Sequence, residues 1–211
     1  MNTVLYDYWR SSASYRVRIA LHLAGEPFDS VPVDLLAGTH RAPEHLARNP
    51  QGLVPVLEID GAQFTQSLAI LEYLNDTRAL GLLPEDPIQR TKIRALAHSI
   101  AVDIHPVCNL SVVRHATAEA KDKPAATRAW MQHFIRPGLV AFDTLLEGFE
   151  QTPFCCGDTP SLADLCLMPQ LYNAHRWEVD LSDLARLQAV ETACARHPAF
   201  AAAHPDNGRP D

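Results

Sequence analysis

Residues 80–87 read Leu-Gly-Leu-Leu-Pro-Glu-Asp-Pro, and the spacing of apolar residues changes across that break. Gly and Pro packed this closely end any regular element that enters them, so the chain is expected to fold as two domains, residues 1–80 and 87–211. Before the break, β-rich runs alternate with helical ones. Residues 3–6 (Thr-Val-Leu-Tyr) read as a strand. Residues 14–24 carry Val17, Ile19, Ala20, Leu21, Leu23 and Ala24 at helical spacing and stop at Gly25. Residues 28–33 are β-rich, 42–48 suit a short helix, and 54–59 read as a strand. Asp60-Gly61 is a tight-turn pair leading into residues 63–65. Leu68, Ile70, Leu71, Tyr73 and Leu74 then open a second amphipathic helix. The predicted order is β-α-β-α-β-β-α, and the hairpin makes its last two strands antiparallel, so the sheet is mixed. After the break only helical patterns occur, over 87–118, 125–149, 161–175 and 183–196. Ser161-Leu-Ala-Asp164 has the spacing of a helix-starting capping box.

The fold class expected from this pattern is an α/β domain followed by an all-α one, and composition narrows what it can do. Among 211 residues, 18 Lys and Arg face 25 Asp and Glu, a net charge of -7. That balance excludes an electrostatic footprint for nucleic acid or an anionic membrane surface. No apolar run approaches the ~20 residues of a bilayer span. The opening Met1-Asn-Thr-Val-Leu-Tyr lacks the features of an export signal, so a cytoplasmic protein is expected. Five cysteines, Cys108, Cys155, Cys156, Cys166 and Cys194, match neither a zinc site nor a redox Cys-x-x-C pair, and the adjacent Cys155 and Cys156 read as packing residues. The ten histidines are scattered, and no metal site is expected. Phosphate loops, dinucleotide fingerprints and the zinc-protease and serine-hydrolase motifs are absent.

What remains are three junctions where backbone polar groups go unpaired. At Val54-Pro55 the proline removes a donor at a strand start, and a cis bond there leaves the Val54 N–H and C=O open to an extended, peptide-like ligand. A purely structural proline at an edge strand is the alternative. Ser67 precedes one helix and Ser11 and Ser12 precede another, so two positively polarised helix N-termini can receive anions. Ser67 also reads simply as an N-cap. The paired serines exceed what one cap needs, which leaves a hydroxyl free to donate to a ligand.

Ser11-Ser-Ala-Ser-Tyr-Arg-Val-Arg-Ile-Ala-Leu21 resembles the Ser-Ser-Cys-x-x-Arg-Val-Arg-Ile-Ala-Leu signature of the zeta-class glutathione transferases. Asn49-Pro-Gln-Gly-Leu-Val-Pro55, Gln66-Ser-Leu-Ala-Ile-Leu-Glu-Tyr-Leu74, Asn109-Leu-Ser-Val-Val113, the segment 157–170 and Asn173-Ala-His-Arg-Trp-Glu-Val-Asp-Leu181 resemble the same family, in order. The resemblance implies a thioredoxin-like first domain, a helical second domain, glutathione as cofactor and a homodimer. It places Ser11 at the glutathione sulfur, with Ser12 and Ala13 in the same loop and Arg16 just behind. Val54 and Pro55 then meet the cysteinyl backbone, while Gln66 and Ser67 hold the γ-glutamyl end. His40 and His105 stand where many relatives have Gln, and imidazole can still donate a hydrogen bond. Asn109, Leu110 and Ser111 border the cofactor from the helical domain.

Ala13 replaces the signature Cys, so a thiol at that position cannot be the nucleophile. The activity implied is conversion of 4-maleylacetoacetate to 4-fumarylacetoacetate, a step of tyrosine and phenylalanine breakdown, by reversible thiolate addition. Arg10 and Arg176 are the candidates for substrate carboxylates and developing negative charge, since Arg binds carboxylates bidentately. The alternatives are maleylpyruvate isomerisation in gentisate breakdown, dehalogenation of small α-halo acids, and a glutathione-binding protein without turnover.

Overall fold

The computed structural model describes residues 2–150 and 152–210. The chain divides into two compact units, Met1–Gly81 with Arg196–Asp211, and Leu82–Ala195.

In the first unit, β1 (Thr3–Asp7) lies between β2 (Phe28–Pro32) and β3 (Val56–Ile59), and β4 (Ala62–Thr65) completes a four-stranded sheet of order β2-β1-β3-β4. β1 and β2 are parallel, whereas β3 runs antiparallel to both β1 and β4. The mixed sheet expected from the Asp60-Gly61 turn is the one formed. Two helices dominate this unit, α1 (Ser12–Leu23) and α3 (Ser67–Arg78), with the short α2 (Pro43–Arg48) on the connection from β2 to β3.

Every residue of α1 from Ala13 to Leu21 is buried, so this helix needs cover on several sides. α3 packs along it, and so does α10 (Pro198–Ala202), near the C-terminus. The expectation that residues 87–211 form one helical domain therefore needs correction at its end: from Arg196 onward the chain packs with the first unit. Three contacts hold it there. Arg18 Nε donates to the Ala203 carbonyl at 3.1 Å, the Tyr15 and His204 rings meet edge to face at 6.2 Å, and Phe200 is buried.

Arg18 does more than hold the C-terminal segment. Its Nη1 pairs with Asp7 Oδ2 at 2.5 Å and its Nη2 donates to the Trp9 carbonyl at 2.9 Å. One buried guanidinium thus ties the end of β1, the loop beyond it and the C-terminal segment to α1.

The second unit is helical: α4 (Pro87–His98), α5 (His105–Val107), α6 (Leu110–Ala116), α7 (Lys123–Leu145), α8 (Leu162–Arg176) and most of α9 (Ala185–Arg196). α8 is buried from Leu162 to Leu171 and packs on α4 and α7. Its start is built as the Ser161–Asp164 spacing predicts. Asp164 Oδ2 accepts the Ser161 N–H at 2.8 Å and the Ser161 hydroxyl at 2.7 Å, and Oδ1 accepts the Cys155 N–H at 2.8 Å. Burial still pushes the Asp164 carboxyl above its ordinary range.

The stretch 87–118, expected as helical, forms several pieces. Ser99–Ile104 winds as a wider π-helix, and Asn109 starts α6 afresh. α7 presses on this segment so closely that a Cβ on Gly138 would sit 2.4 Å from Ile104 Cδ1, a contact that apolar periodicity does not encode. Among the described residues no single helix is long and apolar enough to cross a membrane.

Arg18 and Asp7 have side chains only 10% and 5% exposed, so Arg18→Met strands a buried carboxylate. The expected cost is about 3–5 kcal/mol, read from denaturant midpoints. Adding Asp7→Asn to that variant should restore part of the loss, because the orphaned charge is then gone.

Candidate active site

The loop from β1 to α1 ends in a capped helix start. Ser11 is the N-cap of α1: its N–H donates to the Tyr8 carbonyl at 2.8 Å and its Oγ accepts the Ser14 N–H at 3.2 Å. A hydroxyl used as acceptor keeps its own proton to donate. Ser12 is the first residue of the helix, and among the described residues neither its hydroxyl nor the Ser12 and Ala13 N–H groups have a partner. The first turn of α1 therefore presents donors at its positive end. Arg10 adds a cation beside them. Its guanidinium carbon lies 5.2 Å from the centre of the Trp9 ring, and it has no ion-pair partner among the described residues.

A second helix start lies in the same unit. Gln66 is the N-cap of α3, held at φ 67° and ψ 108°, and its Nε2 donates to Gln51 Oε1 at 2.8 Å. The reading of Ser67 as a cap needs correction: it is the first helical residue and makes no capping bond. Its Oγ instead accepts Arg16 Nη1 at 3.1 Å, again leaving the hydroxyl proton to donate. Arg16 is buried. It is 2% exposed and reaches Ser67 rather than solvent. It carries its charge inward from α1 to the base of α3.

Between these two helix starts in sequence comes the segment 49–55, which is tightly held. Asn49 Oδ1 accepts the Gln51 N–H at 3.1 Å, and Asn49 Nδ2 donates to the Leu53 carbonyl at 2.9 Å. His45 Nε2 lies 2.9 Å from the same carbonyl. Gly52 has φ +63°, and a Cβ there would approach the His40 carbonyl oxygen to 3.1 Å, so only glycine suits this turn. Val54-Pro55 is cis, and the Val54 N–H and C=O have no partner among the described residues. His40, half-buried, sits in the short turn Thr39–Arg41 beside this segment.

Asn49 and Gln51 lie in a segment that resembles the family, yet sequence reasoning assigns no individual role to Asn49, His45 or Gln51. Asn49-Pro50 is a turn-forming pair, and it is the one local signal among them. His45 carries none, because its partner is a carbonyl brought near by the fold.

The remaining candidates belong to the second unit. His105 opens α5. Asn109 caps α6, its Oδ1 accepting both the N–H and the hydroxyl of Ser111 at 3.0 Å, so the Asn109 amide N–H groups stay available. Leu110 is 36% exposed. Arg176 is the exposed last residue of α8, with its guanidinium carbon 4.6 Å from the centre of the Trp177 ring.

Four of the protein's five thiols are poor nucleophiles here. Burial pushes Cys108 and Cys156 up to about 12 and raises Cys155 and Cys194 further, with the buried Asp164 carboxylate as a second cause. Among the described residues no three His, Cys, Asp or Glu side chains are grouped to hold a metal ion.

Residues 1–76 match the glutathione S-transferase N-terminal domain. The maleylacetoacetate isomerase of Rhizobium meliloti (strain 1021) is 62% identical over 209 residues, covering 99% of this chain and 98% of that protein. The holo structure of a bacterial zeta-class maleylpyruvate isomerase matches with a TM-score of 0.93 at 38% identity, over 99% of each chain. A maleylacetoacetate isomerase from Methylobacterium extorquens AM1, solved with malonate and GSH bound, matches with a TM-score of 0.92 at 37% identity, over 99% of this chain and all of that one. Both the sequence likeness and the fold run the length of the chain. The chain belongs to the zeta class of the glutathione transferases, the family of the maleylacetoacetate and maleylpyruvate isomerases.

Proposed function

We propose that the protein is a glutathione-dependent cis–trans isomerase that converts 4-maleylacetoacetate to 4-fumarylacetoacetate in tyrosine and phenylalanine breakdown, acting as a cytoplasmic homodimer. The observation that carries the reading is one unit's combination of two donor-rich helix starts with an unpaired extended residue between them in sequence. A tripeptide with an anionic end, a central backbone amide and a thiol has the groups that such a set satisfies.

Val54 offers the N–H and C=O that an extended cysteinyl residue can pair with, in the manner of an added strand. Gln66, Ser67 and the positive end of α3 suit the γ-glutamyl carboxylate, and the Arg16 charge beneath Ser67 adds to that field. His40 and Pro55 flank the same segment. His105, Asn109, Leu110 and Ser111 are proposed to border the cofactor from the second unit. Bound glutathione supplies a thiol whose anion adds reversibly to the cis double bond. Ser11 donates its free hydroxyl proton to the sulfur, and the α1 terminus, with Ser12 and Ala13, favours the charged form, both of which depress a thiol pKa. A thiol near ~8.5 is roughly 3% ionised at pH 7, and a drop of about two units makes roughly three quarters of it anionic. Arg10, beside that loop, stabilises negative charge gathering on the substrate carbonyl. Arg176 holds a substrate carboxylate while the bond rotates.

The likeness to a maleylpyruvate isomerase gives a second reading, the same chemistry on a shorter diacid. Residues 109–111 carry no Arg for the extra carboxylate contact that a shorter substrate needs, which favours the longer one. Rates with the two substrates side by side should show a preference for 4-maleylacetoacetate of about tenfold or more in kcat/KM. A preference of that size for maleylpyruvate reverses the assignment.

Ser11→Ala is expected to lower kcat by about 10² and to move the acidic limb of the rate profile to higher pH, because the thiol regains its ordinary pKa. An unchanged profile would show that Ser11 is not the sulfur's partner. Arg176→Ala should raise KM for the diacid and leave KM for glutathione near its original value.

A further inference from the structure

Helix α8 ends at Arg176, and the connection beyond it is clamped from one side by α7. Trp177 caps α8, its N–H bonded to the Asn173 and Ala174 carbonyls at 3.2 and 3.1 Å. Glu178 then takes φ +55°, a left-handed conformation that a residue with a Cβ adopts only when its surroundings hold it there. The Trp177 and Glu178 carbonyls lie past the helix end, where backbone acceptors lack intrahelical donors. Gln132 of α7 supplies the donor for both: its Nε2 lies 2.9 Å from the Trp177 oxygen and 3.2 Å from the Glu178 oxygen.

Gln132 does not act alone. Arg128, one turn before it, pairs with the Glu178 carboxylate. Arg136, one turn after it, donates to both oxygens of Asp183 at 2.7 Å. Positions 128, 132 and 136 fall four residues apart and share one face of α7, so three successive turns grip one short connection. Charge pairs on exposed side chains contribute little by themselves. The half-buried Gln132, bonded to main chain at two consecutive residues, fixes the backbone itself.

The Trp177 ring is the surface on which the Arg176 guanidinium rests, at 4.6 Å. An arginine stacked on a ring loses few orientations when it forms a bidentate pair, whereas a free one must be ordered at each encounter. Holding the Trp177 backbone therefore orders the Arg176 head at one remove.

We propose that Gln132 is a positioning residue for Arg176: by fixing the Trp177 and Glu178 carbonyls it holds the aromatic platform that presents the Arg176 guanidinium to a substrate carboxylate. This rests on the assignment of Arg176 as the carboxylate-holding residue. Gln132 itself touches no reacting atom, and its effect passes entirely through the α8 terminus.

The test is a double-mutant cycle on the full-length protein with glutathione and 4-maleylacetoacetate, using Gln132→Leu, Arg176→Ala and the pair. Gln132→Leu keeps the size and removes the donor. It should raise KM for the diacid about tenfold, leave KM for glutathione unchanged, and add no further loss when Arg176 is already Ala. Gln132→Glu, which is also matched in size and turns an acceptor toward both carbonyls, should give an effect at least as large. Losses that add fully in the pair, an equal rise in KM for glutathione, or an unchanged KM in both Gln132 variants each overturn the proposal. If Arg176→Ala alone leaves KM for the diacid at its original value, the assignment of Arg176 fails and the positioning role fails with it. If Arg176→Ala is impaired and the Gln132 variants are not, only the positioning role fails.

Discussion

A guanidinium is costly to bury unless its donors are met, and the first helix of this protein buries two. Each reaches groups that also shape the candidate site, Arg18 through all three of its nitrogens and Arg16 through Nη1. Arg18 joins Asp7, the Trp9 carbonyl and the Ala203 carbonyl, which fixes the loop leading to Ser11 from below. Arg16 reaches Ser67, which fixes the start of α3 relative to the start of α1. The demand of two buried charges for partners is thus what brings the two helix termini into a defined relation. The sites that would bind an anion and a thiol inherit their geometry from the core.

The parts that local rules govern are legible in the amino-acid order alone. The Asp60-Gly61 pair dictates a hairpin, the Leu80–Pro87 stretch breaks the periodicity, Ser161 and Asp164 sit at capping distance, and Ser11 stands before an apolar-periodic run. Each of these depends on neighbours within a few residues. The hidden parts depend on partners far away in the chain. The resemblance places Arg16 just behind Ser11, but nothing near it in sequence shows that Ser67, 51 positions on, supplies its acceptor. The π-helical turn at Ser99–Ile104 packs against Gly138, far along the chain. Ser67 has the look of a cap, yet the cap is Gln66, in a backbone conformation that a residue other than glycine rarely shows.

The proposed roles fall on both units. The groups suited to a tripeptide, at Ser11, Val54, Gln66 and Ser67, belong to the first, where a small sheet and two long helices fix them. Arg176 and the Asn109–Ser111 segment belong to the second, built from helices whose ends are tuned by caps and clamps. Burial holds Cys108 and Cys156 as neutral thiols, and on the proposed reading hydroxyls and helix termini are presented where an external sulfur is activated. Reactivity is placed by deciding which thiol is desolvated and which is met by donors.

The return of residues 196–203 to α1 has a consequence for how the molecule is made. On the ribosome the whole sheet and both of its long helices emerge early, yet the cover for one flank of α1, including Phe200 and the Ala203 carbonyl that Arg18 requires, is translated after the entire helical unit. The N-terminal unit therefore stays unfinished until the helical unit has been made, with an apolar helix flank and an unsatisfied guanidinium donor waiting for residues 196–203.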